Sequence, residues 1–199
     1  MPTELDELIS ARVGLLGELQ VELQLVRNGW HPVRLDTAQM ASNADLLAVN
    51  KQRRLAIQVK TTDADKQSRS QWLGFGYSTG YLHDKRSIFN GKVSPLIADI
   101  VIGVSYRHHE TRFIVMPVAF AETLCRKHCD FWFSVPTRTE HGRRSVSFPI
   151  YLCFTAQRKT HTAHHERMKR NLLQFEDRWS VLSEPIEKLH DPSAWSLLD

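Results

Sequence analysis

The sequence has few of the features that mark secreted or membrane proteins. It contains only three cysteines in 199 residues, and this low, odd number argues against a disulfide framework and favours a reducing compartment. The first ten residues, MPTELDELIS, are acidic and have no apolar centre, so we expect no secretory signal. No apolar run approaches the roughly 18–20 residues of a membrane span. These absences predict a soluble, cytoplasmic protein with no membrane partner.

The composition is that of a folded domain with a modest positive charge. The net charge is +4 and the isoelectric point is about 9.1, which mildly favours a polyanionic partner. Residues 138–170 contain eight Lys or Arg but only two Glu, although a solvated surface is the simpler interpretation of that stretch alone. The length predicts one domain, residues 1–199, with a core over about 3–155 and a basic helix and tail over 156–199.

A short hairpin over residues 44–60, ADLLAVNKQRRLAIQVK, is the most informative stretch. Two apolar runs flank a polar centre, a pattern typical of antiparallel strands joined by a tight turn. If Lys51 and Gln52 form the turn, paired positions sum to about 103 and Asp45 stands opposite Gln58. Lys60, two residues further on, points to the same face. The pattern therefore predicts an acid, an amide oxygen and an ammonium at the open end of the hairpin.

A long helix is predicted before the hairpin, over residues 3–28. Apolar residues recur at three- and four-residue steps, and Asn28 and Gly29 provide a stop signal. Glu18 and Glu22 share one face beside the apolar stripe. Periodicity alone favours two solvated glutamates, although either could approach a site.

The rest of the chain predicts further strands and helices. Strands are expected at 30–36, 98–105, 112–117 and 146–154, and helices at 118–128 and 156–176. The tail, residues 177–199, is expected to pack back on the core through Trp179 and Trp195.

Residues 61–97 are expected to form a long polar loop with embedded aromatic side chains. Lys66, Arg69, Lys85 and Arg86 are interleaved with these aromatics, a mixture that suits contact with a nucleic-acid backbone and stacking on bases. An ordinary loop held by buried aromatics explains the pattern equally well.

Two groups of possible metal ligands lie in the predicted helices. Cys125, His128 and Cys129 have no clear second pair of ligands, so buried thiols are the preferred interpretation over a zinc site. His161, His164 and His165 could bind a metal, but a solvated helix face that meets phosphate is preferred.

The order of Gly17-Glu18 on a helix, Asp45 at the start of a hairpin and Gln58-Val59-Lys60 at its end resembles the PD-(D/E)xK nuclease superfamily. The Gly-Glu…Asp…Gln-x-Lys version is most similar to its intron-encoded endonucleases. The resemblance implies an α/β, restriction-endonuclease-like fold with a mixed central β-sheet flanked by helices. The chain departs from the usual motif in having Ala44 before Asp45 and Gln58 in place of an acid.

The resemblance also implies an activity, a Mg²⁺-dependent endodeoxyribonuclease that hydrolyses DNA phosphodiester bonds. Glu18, Asp45, Gln58 and Lys60 would be its catalytic residues. Mg²⁺, with Mn²⁺ as an alternative ion, would be bound by Asp45, Gln58, the Val59 carbonyl and Glu18. Glu22 is the alternative if the helix is rotated.

DNA is the implied partner, and a homodimer or homotetramer is compatible with the resemblance. The residues expected to contact DNA are Lys66, Arg69, Lys85, Arg86, Arg143, Arg144, Arg158 and Lys159. Two other functions remain open. The same fold could serve as a catalytically weak nucleic-acid-binding or assembly module, which Gln58 favours, or Cys125, His128 and Cys129 could belong to a zinc-stabilised regulator.

Overall fold

The computed structural model describes residues 4–35, 44–63, 72–83, 86–93, 96–106, 110–134, 146–153 and 161–198. The helices are α1 (Glu4–Arg27), α2 (Val118–Ser134), α3 (Thr162–Leu173) and α4 (Ile186–His190). The strands are β1 (His31–Arg34), β2 (Leu46–Val49), β3 (Arg54–Asp63), β4 (Trp72–His83), β5 (Arg86–Val93), β6 (Ile100–Tyr106), β7 (Thr111–Pro117) and β8 (Val146–Cys153). Within the described ranges no helix is long and apolar enough to cross a membrane.

A five-stranded sheet forms the centre of the molecule, in the order β1-β2-β3-β6-β7. β3 and β6 run parallel, whereas the other neighbouring strands are antiparallel, so the sheet is mixed. β1 lies at one edge, where the missing N–H of Pro32 is tolerated. The predicted α/β architecture, a mixed central sheet flanked by helices, is confirmed.

The hairpin of β2 and β3 forms where the sequence predicts it. The paired residues run from Leu46↔Ile57 to Val49↔Arg54, which is the predicted register. The turn is closed by Asn50, whose Oδ1 accepts the backbone N–H groups of Gln52 and Arg53 at 2.9 Å each. This is the local side-chain bond that makes Asn a frequent turn residue.

The predicted long helix is confirmed, and its glycine brings it close to β3. Val21 and Leu25 are fully buried against the sheet. A Cβ added at Gly17 would lie 1.9 Å from the Oγ1 of Thr61, so only glycine allows this approach of helix to strand. The apolar residues Leu16, Leu19, Leu23 and Val26 of the predicted repeat lie on the opposite, exposed side of α1.

The prediction of a loop over residues 61–97 is wrong for most of that range. β3 extends to Asp63, and β4 and β5 follow within a second, three-stranded sheet of order β5-β4-β8. Glycines along β4 weakened the strand signal, because glycine is depleted in strands. This sheet packs on the central one at Gly103, where an added Cβ would lie 2.5 Å from Leu73 Cδ1.

α2 and α3 meet through histidines, contrary to the predicted solvated face. His164 is 6% exposed and His165 is fully buried. The Nδ1 of His128 on α2 lies 3.0 Å from the Nε2 of His164, and the His164 ring stacks on Phe131 with 3.6 Å between centroids. Only His161 of the three predicted surface histidines is exposed, because α3 turns the other two towards α2.

The tail packs back on the core, as predicted. Trp195 is 7% exposed and belongs to the same hydrophobic cluster as the sheet, with Trp179 packed against it. The backbone around Phe175 also bonds to β7, since the N–H of Val115 donates to the Phe175 carbonyl at 2.9 Å. Further along, the Glu184 carbonyl accepts a hydrogen bond from the Arg53 guanidinium at the hairpin turn.

Candidate functional site

Asp45 lies at the open end of the hairpin, one residue before β2. The regular pairs stop at Leu46↔Ile57, and the N–H of Asp45 donates to the Ile57 carbonyl at 2.8 Å. The ladder is therefore irregular here, and Asp45 does not form the regular pair with Gln58 that the sequence predicts. Its carboxylate instead accepts the N–H of Val59 at 2.6 Å, which fixes the acid beside β3.

Glu18 comes to the same place from α1. Gly17, the residue before it, is in contact with Thr61 near the end of β3. Burial raises the pKa of the Glu18 carboxyl, and the charge of Asp45 raises it further. The two acids are thus close enough for their charges to repel.

Lys60 supplies a positive charge beside these acids. Burial raises the pKa of Asp45, while the Val59 hydrogen bond and the nearby Lys60 ammonium oppose that rise. Lys60 pairs with Gly103 across β3 and β6. Because Gly103 faces the second sheet, alternation places Lys60 and Gln58 on that face of β3 and Thr61 on the face of α1.

The oxygen donors present suit a hard divalent cation. Glu18 and Asp45 are both half-buried, and each has a raised pKa. A cation bound between them would offset the effects of burial and repulsion, and so favour the ionised forms of both acids. Gln58 is 4% exposed and lies next to Val59 on β3, so its amide oxygen and the Val59 carbonyl are the neighbouring neutral donors that could complete an oxygen set for Mg²⁺.

Arg34 is a residue of this region that the sequence did not reveal. Its Nε donates to Glu22 at 2.5 Å, and a second guanidinium nitrogen lies 3.9 Å from Glu18. Arg34 on the edge strand β1 therefore holds Glu22 of α1, and its charge partly opposes the rise in the pKa of Glu18. Glu18, rather than Glu22, is the glutamate adjacent to Asp45. No signal in the sequence marked Arg34, because its role depends on the packing of β1 beside α1.

The zinc hypothesis receives no support from the described part of the chain. Cys125 and Cys129 are each 1% exposed, as expected for buried thiols, and burial raises the pKa of Cys125 well above its usual range. No group of three or more His, Cys, Asp or Glu side chains within the described ranges could hold a metal ion.

The predicted DNA-contacting residues remain predictions. Arg86 is at the start of β5, but its side chain lies outside the described part of the structure. The others lie outside the described residues altogether; they are Lys66, Arg69, Lys85, Arg143, Arg144, Arg158 and Lys159.

The chain shows a similarity to a known protein at the level of structure. No protein-family model matches the sequence, and no curated protein matches it. Among solved structures, the chain is similar to a bacterial homing endonuclease, I-Ssp6803I, with a TM-score of 0.45 and 13% sequence identity. The alignment covers 86% of this chain and 91% of that one.

Proposed function

We propose that this protein is a divalent-metal-dependent endonuclease that hydrolyses DNA phosphodiester bonds, with its active site at the open end of the β2–β3 hairpin. The observation that carries the proposal is the grouping of three half-buried charged residues, Glu18, Asp45 and Lys60, in which the charge of Asp45 acts on Glu18 and that of Lys60 acts on Asp45. Two acids and one ammonium suit a reaction that needs both a bound cation and an extra positive charge near phosphate.

Each residue has a distinct role in this proposal. Asp45, held by the Val59 N–H, and Glu18 would bind Mg²⁺ or Mn²⁺ together with Gln58 and the Val59 carbonyl. The bound ion would acidify water and neutralise phosphate oxygens. Lys60 would orient the attacking water and offset the charge that develops on phosphate. Water would form the new P–O bond, and the bond to one sugar oxygen would break.

The test is cleavage of supercoiled plasmid and of a four-way junction with Mg²⁺ or Mn²⁺. We expect Asp45→Asn and Lys60→Met to lower the cleavage rate by at least about a hundredfold, because each removes a charge that acts in the transition state. The asparagine oxygen can still accept the Val59 N–H, so Asp45→Asn should fold. Asp130→Asn on α2 and Lys51→Met at the hairpin turn, both exposed, are matched controls that should cleave normally.

A catalytically weak DNA-binding or assembly module of the same fold is the second candidate. It is favoured by Gln58, a neutral residue at the position where the superfamily motif has an acid. This alternative predicts DNA binding without cleavage by any form and no Mg²⁺ binding in titration calorimetry. Cleavage that survives in both Asp45→Asn and Lys60→Met would reject the proposed site.

A further inference from the structure

The outer face of α1 exposes a line of apolar side chains. Leu16, Leu19, Leu23 and Val26 are 36%, 45%, 46% and 58% exposed, and we call these four residues the leucine stripe. The stripe lies opposite the buried face of the helix. Single exposed leucines are ordinary on protein surfaces, but four in a continuous line indicate an interaction surface.

The spacing of the leucine stripe is that of a helix that packs on another helix. Its members are separated by three, four and three residues, which is the alternation of the two core positions in a coiled coil. The stripe spans 11 residues, or about 16 Å of helix. Leu15, 47% exposed, widens it on one side. The surface is therefore shaped for an apolar helix and not for an extended peptide.

The charges beside the stripe select a second copy of this chain as the partner. Glu22, which also pairs with Arg34 of its own chain, flanks the stripe on one side. Arg27 flanks it on the other, and these are the two positions that form ion pairs between coiled-coil helices. In a parallel pair, Glu22 of one helix faces Arg27 of its partner, and the symmetry repeats this contact. In an antiparallel pair, like charges face each other. We propose that the protein forms a parallel, two-fold symmetric dimer through the leucine stripe of α1.

The alternative of a membrane surface fits less well. Helices that lie in a membrane interface have polar faces rich in Lys and Arg. From Arg12 to Arg27, α1 has two arginines and two glutamates, so it has no net attraction to anionic lipid. The stripe also faces away from the sheet, which leaves it open to a second copy of the chain.

Arg12 interrupts the apolar positions at the N-terminal end of the leucine stripe. It is exposed and occupies the next core position of the repeat, seven residues before Leu19. Parallel pairing brings the two Arg12 side chains together at the end of the seam, where their repulsion weakens the dimer. Arg12→Leu should therefore lower the dimer Kd by about tenfold, because it removes the repulsion and lengthens the seam.

Sedimentation equilibrium of the full chain tests the surface. We expect a dimer at micromolar concentration, and we expect Leu19→Glu and Leu23→Glu to raise its Kd by at least about a hundredfold. Ile97→Glu and Ile186→Glu are matched controls, since these residues are 47% and 40% exposed elsewhere and should leave the dimer intact. Thermal unfolding by circular dichroism confirms that each variant is folded.

Disulfide crosslinking tests the orientation. Under mild oxidation, Leu19→Cys and Val26→Cys should each form covalent dimers with themselves in a parallel pair, above the level given by the unaltered chain. A wild-type monomer at about 100 μM, or a dimer that Leu19→Glu leaves intact, would overturn the proposed interface. A dimer in which Val26→Cys does not crosslink would overturn the parallel arrangement. None of these readouts depends on nuclease activity.

Discussion

The open end of the hairpin and the contact between α2 and α3 both place titratable side chains away from solvent, but they do so differently. At the hairpin, Glu18, Asp45 and Lys60 combine charges of both signs and stay half-buried. Between the helices, His128 and His164 are almost fully buried, and burial lowers the pKa of His164 to about 4. The first group keeps charge and access, as a site requires. The second suppresses charge, as packing requires.

The largest expected effect concerns the histidines. Burial, and to a smaller extent the nearby His165, Arg167 and His161, place the folded pKa of His164 at about 4, below its unfolded value of 6.5. The unfolded chain then binds more protons between these values, and the contribution is complete above pH 6.5 and lost as pH falls towards 4. We expect His164 to account for about 2–3 kcal/mol of lost stability over that interval.

Urea unfolding at pH 7 and pH 4 measures this effect. His164→Phe, which can keep the stack on Phe131, should make unfolding free energy depend less on pH than it does in the wild type. His31→Gln, an exposed change on β1, should leave the dependence as it is. If NMR gave His164 a pKa near 6.5, the histidine contact would not suppress charge, and the proposed difference from the hairpin site would be wrong.

The contact between Gly17 and Thr61 connects α1 to the hairpin site. Gly17→Ala places a methyl group against the Thr61 side chain, so we expect a loss of about 1–3 kcal/mol in unfolding free energy and, because Glu18 moves, slower cleavage. Gly14→Ala is the matched control in the same helix. An added Cβ there meets nothing within 4 Å, so that variant should gain about 0.5–1 kcal/mol. Equal effects of the two changes would contradict the close contact.

The smallest expected effect sharpens the role of Gln58. Gln58→Glu supplies a further acid to the proposed site, and it should raise Mg²⁺ affinity about tenfold because a carboxylate binds the ion better than an amide. Without the ion, the same variant should be less stable, since it buries a charge. Calorimetric titration measures the Mg²⁺ affinity, and thermal unfolding with and without Mg²⁺ measures the stability. Gln52→Glu in the exposed turn should change neither, and unchanged affinity in Gln58→Glu would place the ion elsewhere.

The sequence was sufficient for the hairpin because two local signals agree there. Two apolar runs predicted the strands, and the polar turn between them predicted the register from Leu46 to Val49. The irregularity at Asp45 was not predictable, since it depends on a side-chain bond to Val59. β4 was missed because its glycines carry no strand preference, although the paired sheet tolerates them.

Helix α1 was predicted from the sequence, but the side of the helix that faces the core was not. Its existence followed from the apolar repeat, but the repeat does not mark the buried face. The helix approaches β3 through Gly17, a residue with no hydrophobic signal, whereas Leu16, Leu19 and Leu23 remain exposed. Arg34 was missed for a related reason, since its contacts join two elements whose packing the sequence does not specify. Local patterns in the sequence predicted where helices and strands form, but they did not predict which face of a helix is buried.

The bond between Arg53 and the Glu184 carbonyl has a consequence for how the chain acquires its structure. These residues are separated by 131 positions, and Arg53 also lies over Trp30 at 5.6 Å. A contact of such high sequence separation closes a very long loop, and its entropic cost comes before its gain. During synthesis the packing of the hairpin turn is therefore incomplete until the residues around Glu184 have been made. The N-terminal half is exposed to misassembly for that interval.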